Sequence, residues 1–202
     1  MDTTEDIRDS TPEPFDLAPV CRETARVAAG ITEEQLAGAT PCSAYAVREV
    51  LAHLLGLSVA FRDAARKEPG PTTDTPPGAA LPVLDPEWRA ALPRGLDALA
   101  EAWRAPAAWQ GETRVGGVGL PGAVAGVVAL NEVLVHGWDL ARATGQPYHP
   151  AEPGLRASYG LLAPGTLGPD APFGPPVPVA DDAPLLDRVI GLSGRHPDWR
   201  PE

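Results

Sequence analysis

Three side chains with metal-binding chemistry lie at helical spacing in two apolar stretches of the sequence. Glu132 and His136 are four residues apart, so a helix would place them on one face. His53 lies in a separate stretch rich in leucine. Two imidazoles and a carboxylate suit zinc, nickel or iron, and three protein ligands leave coordination positions open, as in catalytic sites. The spacing therefore predicts a metal centre of His53, Glu132 and His136 in a helical core.

Two further carboxylates could belong to this site or stand apart from it. Glu49, four residues before His53, is a rival ligand, a residue that orients a ligand, or a solvated residue on the outer face. Asp139 could orient a ligand histidine or hydrogen-bond across helices. From spacing alone a structural interpretation also stays open, because Glu–His pairs are common on helices and a core histidine is usually satisfied by a hydrogen bond.

The remaining candidate groups are assigned to structure or surface. His149 and His196 lie beside prolines and are interpreted as surface residues. Cys21 and Cys42 are too few for a disulfide framework and are interpreted as reduced thiols, not nucleophiles. Small residues on the face of Glu132 and His136 favour an open site: Ala125, Ala129 and Ala143.

The distribution of proline predicts the helices that carry these groups. The 202 residues include 25 prolines, but none falls in 20–40, 42–68, 94–105 or 122–146. Since proline is costly inside a helix, these gaps indicate helices. We expect helices over 15–29, from an N-cap at Ser43 to about Lys67, over 85–104 with a kink or break at Pro93, and over 121–144.

The predicted fold is all-α, an up-and-down four-helix bundle with long Pro/Gly-rich loops. A short helix after Thr32, a short strand within 109–115 and a last helix over 183–193 complete it, and 147–182 is expected to be irregular. The motif Gly117–Gly122 matches GxGxxG but is interpreted as a loop entering the fourth helix, because no strand–helix–strand pattern surrounds it. Residues 1–14 are expected to be a flexible acidic N-terminus, and 15–202 one metal-binding domain.

Composition excludes several classes of partner. The formal net charge of −11 argues against nucleic acid and anionic membranes. The apolar stretch 118–135 contains Asn131 and Glu132, so it is interpreted as a buried helix, not a membrane span. The acidic N-terminus does not resemble a signal peptide. We therefore expect a cytoplasmic protein with a small-molecule substrate, and a homodimer is one possible assembly.

Three blocks of the sequence resemble the DinB/YfiT-like metalloproteins. Residues 40–53, TPCSAYAVREVLAH, are similar to the family segment TPC-S-x-W-x-V-R-D-L-x-x-H, although Tyr45 replaces the usual tryptophan. Residues 132–145, EVLVHGWDLARATG, and the tail 185–199 resemble an actinobacterial branch related to the mycothiol-dependent maleylpyruvate isomerase. The resemblance implies a four-helix bundle and, by motif, the metal ligands His53, Glu132 and His136.

The resemblance also implies a function. It suggests an enzyme in which a divalent transition metal, zinc before nickel or iron, activates a mycothiol-like thiol for S-transfer or isomerisation of a small electrophile. Maleylpyruvate isomerisation itself is not implied, because we expect the isomerase's additional domain to be absent. Two alternatives stay open: a thiol-independent hydrolase or biosynthetic enzyme on the same site, and a non-catalytic metal-binding protein.

Overall fold

The computed structural model of the protein describes residues 14–76, 81–163 and 174–201, and these are mostly helical. The predicted flexible segment 1–14 lies outside the described residues except for Pro14. The helices are α1 Ala18–Ala29, α2 Val47–Ala65, α3 Pro71–Asp74, α4 Trp88–Ala102, α5 Gly122–Thr144, α6 Glu152–Leu162 and α7 Leu185–Leu192. A hairpin of β1 Glu112–Val115 and β2 Val118–Pro121 precedes α5, and 3₁₀ turns cover Glu34–Ala37 and Pro106–Trp109.

The four longest helices share one hydrophobic core. Helix α1 packs against α4 and α5, and α2 packs against the same two helices. Leucines at helical spacing fill the space between them, including Leu51, Leu54, Leu96, Leu99 and Leu134, none of which is exposed. These contacts bring the faces that carry His53 and Glu132 together.

Helix α5 is the most deeply buried element. Among the described residues it is the single helix long and apolar enough to cross a membrane, but 83% of its apolar stretch is buried inside the protein. Of the stretch 118–135 predicted as a buried helix, residues 122–135 lie in α5, whereas Val118–Pro121 form strand β2 and Val118 is exposed. Gly145 follows α5 in the left-handed conformation, as predicted for its C-terminus.

Helix α2 begins later than predicted. Its N-cap is Ala46, and the predicted cap at Ser43 is wrong. The Glu49 carboxylate accepts a hydrogen bond from the Ala46 amide at 3.0 Å, which closes the first turn. The Thr40 hydroxyl lies 2.6 Å from the Tyr45 carbonyl oxygen, so residues 40–46 form a tied turn instead of a helix.

The hairpin adds a two-stranded sheet to an otherwise helical fold. A strand was predicted within 109–115, but its partner was assigned to a loop, and that assignment is wrong. Strand β1 pairs antiparallel with β2 from Glu112↔Pro121 to Val115↔Val118. Gly116 and Gly117 connect them with φ of 60° and 80°, which glycine adopts without steric cost and which suits a two-residue turn. The GxGxxG motif is therefore a hairpin turn and strand.

Of the two alternatives predicted at Pro93, the break is wrong, and the prediction that the whole of 147–182 is irregular is also wrong, whereas the last helix is confirmed. Helix α4 continues through Pro93, since the loss of one early backbone hydrogen bond is offset by burial of Leu92 and Leu96. Helix α6 lies in the segment predicted to be irregular, because Pro153 occupies its first turn, where proline is tolerated. Helix α7 occupies the predicted place.

Close packing around Gly126 of α5 generates the first prediction. A methyl group there would lie 2.5 Å from Cζ3 of Trp109 and 2.9 Å from Cζ3 of Trp103. We expect Gly126→Ala to lower the free energy of unfolding by about 1–3 kcal/mol through overpacking. The matched control is Gly56→Ala in α2, which meets no atom within 4 Å and should raise stability by up to about 1 kcal/mol through helix propensity. Urea unfolding measures both, and equal effects would contradict the packing argument.

Candidate metal centre

His53, Glu132 and His136 meet where α2 packs on α5. The Nε2 atoms of His53 and His136 lie 3.3 Å and 3.4 Å from the same Glu132 oxygen, Oε2. The three donor atoms all lie within 4.8 Å of one another. Helical spacing places Glu132 and His136 one turn apart on α5, and the α2–α5 contact supplies His53. The structure thus brings together the three residues predicted as ligands.

The distances between these donors fit a small transition-metal ion. Ligand atoms bound tetrahedrally at about 2.1 Å from zinc lie about 3.4 Å from one another. The observed nitrogen–oxygen separations of 3.3 Å and 3.4 Å match this spacing. Two imidazoles and one carboxylate are also the donor types that zinc, nickel and iron accept. The donor set and its spacing therefore fit such an ion.

The site is open to solvent on the His53 side. The His53 side chain is 25% exposed, against 16% for Glu132 and 9% for His136. The Tyr45 ring, which is partly buried, lies beside His53 with the two ring centroids 5.6 Å apart. His53 is therefore the most exposed of the three candidate ligands, and His136 is the most buried.

Asp139 orients His136 from behind. Its Oδ2 lies 2.9 Å from His136 Nδ1, and its carboxylate is fully buried. This contact places the ring proton on Nδ1, which donates to Asp139 and leaves Nε2 directed at Glu132. An unprotonated Nε2 facing a carboxylate oxygen requires a positive group between them, namely a second proton or a metal ion. The structure thus places Asp139 where it can orient a ligand histidine.

Charge pairing perturbs the pKa of both inner residues. Burial alone would lower the pKa of His136, but hydrogen bonds to Asp139 and Glu132, with their negative charges, raise it to about 9. Burial would likewise raise the pKa of Glu132, but hydrogen bonds and charge from His136 and His53 hold it well below its usual range. In the metal-free protein the pair is therefore an imidazolium and a carboxylate at neutral pH.

Arg195, to which the sequence assigned no role, lies beside Asp139. Its Nη2 lies 3.1 Å from Asp139 Oδ2 and its Nε lies 3.4 Å from Oδ1, so the guanidinium faces both carboxylate oxygens. The only sequence signal was its place in the tail block that carries the family resemblance. Because Arg195 is 56 residues from Asp139 in the chain, periodicity could not have paired them.

Cys42 lies closer to the site than its sequence position indicated. Its sulfur and the nearest donor atoms of His136 and Asp139 all lie within 4.8 Å of one another. Burial and the Asp139 charge raise the pKa of the Cys42 thiol, so it remains protonated at neutral pH. Burial raises the pKa of Cys21 to about 12, in the core.

The other candidates lie elsewhere. Glu49 caps α2 and does not join the cluster, so the prediction that it binds or orients a ligand is not supported by its position. His149 and His196 are exposed, which confirms their assignment to the surface. Ala125 and Ala129 are fully buried in the core and Ala143 is partly buried, so their small size serves packing.

The raised pKa of His136 predicts the pH dependence of stability in the chelator-treated protein. Folded His136 retains its proton until about pH 9, whereas the unfolded residue releases it near pH 6.5. The folded state thus binds more protons between these values, and stability falls as pH rises through them, by at most about 1.4 kcal/mol per pH unit. Urea unfolding from pH 6.5 to 9 should show this slope, and His136→Gln should flatten it. Equal slopes in the two proteins would contradict the prediction.

Comparison with known proteins places this geometry in a family. A sequence profile described as the mycothiol maleylpyruvate isomerase N-terminal domain matches residues 17–141, which include all three candidate ligands. The uncharacterized proteins MT0763 and Rv0738, from two strains of Mycobacterium tuberculosis, are each 28% identical over 176 residues, which cover 85% of this chain and 91% of each relative. No solved structure matches the chain significantly. Since the profile spans more than half of the chain, the protein belongs to the mycothiol maleylpyruvate isomerase N-terminal domain family.

Proposed function

We propose that the protein is a metal-dependent enzyme that uses a low-molecular-weight, mycothiol-like thiol as nucleophile toward a small electrophile, for S-transfer or isomerisation. The observation that carries this proposal is the convergence of His53 Nε2, Glu132 Oε2 and His136 Nε2 at a partly exposed point between α2 and α5. Family membership supports a connection with mycothiol chemistry and metal binding.

The proposal also includes the fold, the cellular location and the assembly of the protein. We place α1, α2, α4 and α5 in the up-and-down four-helix bundle of the DinB/YfiT-like proteins, since each of α1 and α2 contacts both α4 and α5. We propose a cytoplasmic enzyme whose partners are small molecules, not nucleic acid, in keeping with the net charge of −11. A homodimer is the assembly we propose to test first.

His53, Glu132 and His136 would hold the metal, for which zinc is the first candidate and nickel or iron the alternatives. A divalent ion bound there would lower the pKa of a coordinated thiol and so supply a thiolate at neutral pH. The chain's own groups prepare the site. Asp139 accepts a hydrogen bond from His136 Nδ1–H and so fixes the ring, and Glu132 compensates positive charge at the inner end.

The exposed side of the site is where substrates would enter. Tyr45 and His53 form this side, and the Tyr45 ring provides an aromatic wall for an electrophile or for the thiol itself. Cys42 lies near the inner end, but its raised pKa keeps it protonated. The chain therefore offers no activated thiol of its own within this described cluster, which supports the use of an external one.

The ligand assignment predicts the metal content of the purified protein. We expect about one divalent transition metal per chain in the wild type, as three protein donors bind one ion. His53→Ala and His136→Ala should each lose most of it, because either change removes a donor. The matched controls are His149→Ala and His196→Ala, which remove exposed imidazoles and should retain the metal. Elemental analysis measures all five proteins, and full retention in both ligand variants would contradict the assignment.

The proposed chemistry predicts metal-dependent consumption of thiol. Wild-type protein loaded with zinc should accelerate loss of free mycothiol in the presence of a halo-aromatic compound or an epoxide, as followed by thiol titration. The chelator-treated protein and His136→Ala should fall to the uncatalysed rate. Metal binding without thiol loss across such a panel would overturn the S-transfer function; it would leave thiol-dependent isomerisation, in which the thiol is regenerated, and the hydrolase alternative.

A further inference from the structure

We infer that the C-terminal segment Ser193–Arg200 is part of the metal centre and that Arg195 is its positioning residue. The inference rests on the metal site of the proposed function, because Arg195 acts through Asp139 on His136. No donor of Arg195 touches the candidate ligands directly. Its role is to hold the carboxylate that holds a ligand.

The backbone and side-chain contacts of residues 193–195 fix the position of the Arg195 side chain. Helix α7 ends at Leu192, and Gly194 then turns the chain with φ of 81°. The Arg195 amide donates to the Ile190 carbonyl oxygen at 3.1 Å, and its Nη1 donates to the Ser193 carbonyl oxygen at 2.9 Å. Contacts within the C-terminal segment therefore hold the Arg195 guanidinium in place, in addition to its contact with Asp139.

The contact with Asp139 determines where that carboxylate points. Arg195 approaches both oxygens, with Nη2 at 3.1 Å from Oδ2 and Nε at 3.4 Å from Oδ1, while Oδ2 also accepts from His136. Asp139 is fully buried, so no water replaces a lost partner easily. Without Arg195 the carboxylate would keep, among the described residues, only the imidazole as a side-chain hydrogen-bond partner, and it could rotate away from the orientation that directs Nε2 toward Glu132.

A second contact anchors the segment to the same helix. Arg142, one turn after Asp139 on α5, donates from Nη2 to the Pro197 carbonyl oxygen at 2.7 Å. Its guanidinium also lies 5.6 Å from the centre of the Trp138 ring. Two successive side chains of one face of α5 therefore bind residues 193–200, which gives Arg195 a defined register against Asp139.

This arrangement extends the site beyond the region shared with the family profile. The profile ends at residue 141, after the three candidate ligands and Asp139. Arg195 lies 56 residues beyond Asp139, across α6 and α7. The shared region thus contains the donors, while a later part of the chain supplies the group that orients one of them.

The test measures Co²⁺ affinity of the full-length, chelator-treated protein by titration of the visible absorption bands. Arg195→Met should weaken Co²⁺ binding about tenfold and shift the bands, as expected when the support of a ligand histidine is lost. The matched control is Arg188→Met in α7, where the guanidinium binds the Tyr159 hydroxyl at 2.6 Å and does not contact Asp139. This control should bind Co²⁺ like the wild type.

A second variant covers the case in which Arg195→Met does not fold. Arg195→Lys keeps a positive charge opposite Asp139, but a single ammonium cannot hold both carboxylate oxygens in a fixed plane. We expect it to fold and to bind Co²⁺ several-fold more weakly than the wild type. If a folded Arg195 variant binds Co²⁺ with the affinity and absorption bands of the wild type, the role of Arg195 is overturned, while the proposed metal centre stands. Absence of Co²⁺ binding by the wild type itself would overturn the proposed metal centre, and the inference with it.

Discussion

Helix α5 carries two carboxylates, Glu132 and Asp139, into the protein, and each needs a positive or hydrogen-bonding partner there because an unpaired buried charge is costly. His136 lies between them and contacts both, with its two ring nitrogens directed to opposite sides. The outer partners come from distant parts of the chain, His53 from α2 and Arg195 from the C-terminal segment. Charge compensation thus links three regions around one histidine.

The same linkage explains why the site is both ordered and accessible. Its inner half is buried, with Asp139 and Arg195 holding His136, while its outer half ends at His53 and Tyr45, which solvent reaches. A buried half that orients one candidate ligand and a more exposed half suit the metal centre proposed above. Cys42 lies beside the buried half, where its thiol stays protonated.

Sequence reasoning succeeded where a signal is local and failed where partners are distant. Proline exclusion located the long helices, and the i, i+4 relation correctly placed Glu132 and His136 on one face. The predictions for α6 and for the start of α2 were wrong. Proline content does not show that Pro153 lies in the first turn of a helix, and it does not show that the Thr40 hydroxyl binds the Tyr45 carbonyl oxygen. The second strand of the hairpin was not predicted, because the turn depends on the left-handed backbone conformations of Gly116 and Gly117, which a motif search does not consider.

The helical character of the chain, the types of the candidate donors and the spacing of two of them could all be predicted from the residues alone. These properties are local, since helix propensity and residue chemistry need no tertiary contact. Three other relations become visible only once the chain is folded: His53 reaches Glu132, Glu49 caps α2, and Arg195 contacts Asp139. Such pairs depend on how helices pack and on where a turn directs the tail, and residues 56 or 79 positions apart leave no periodic trace in the sequence.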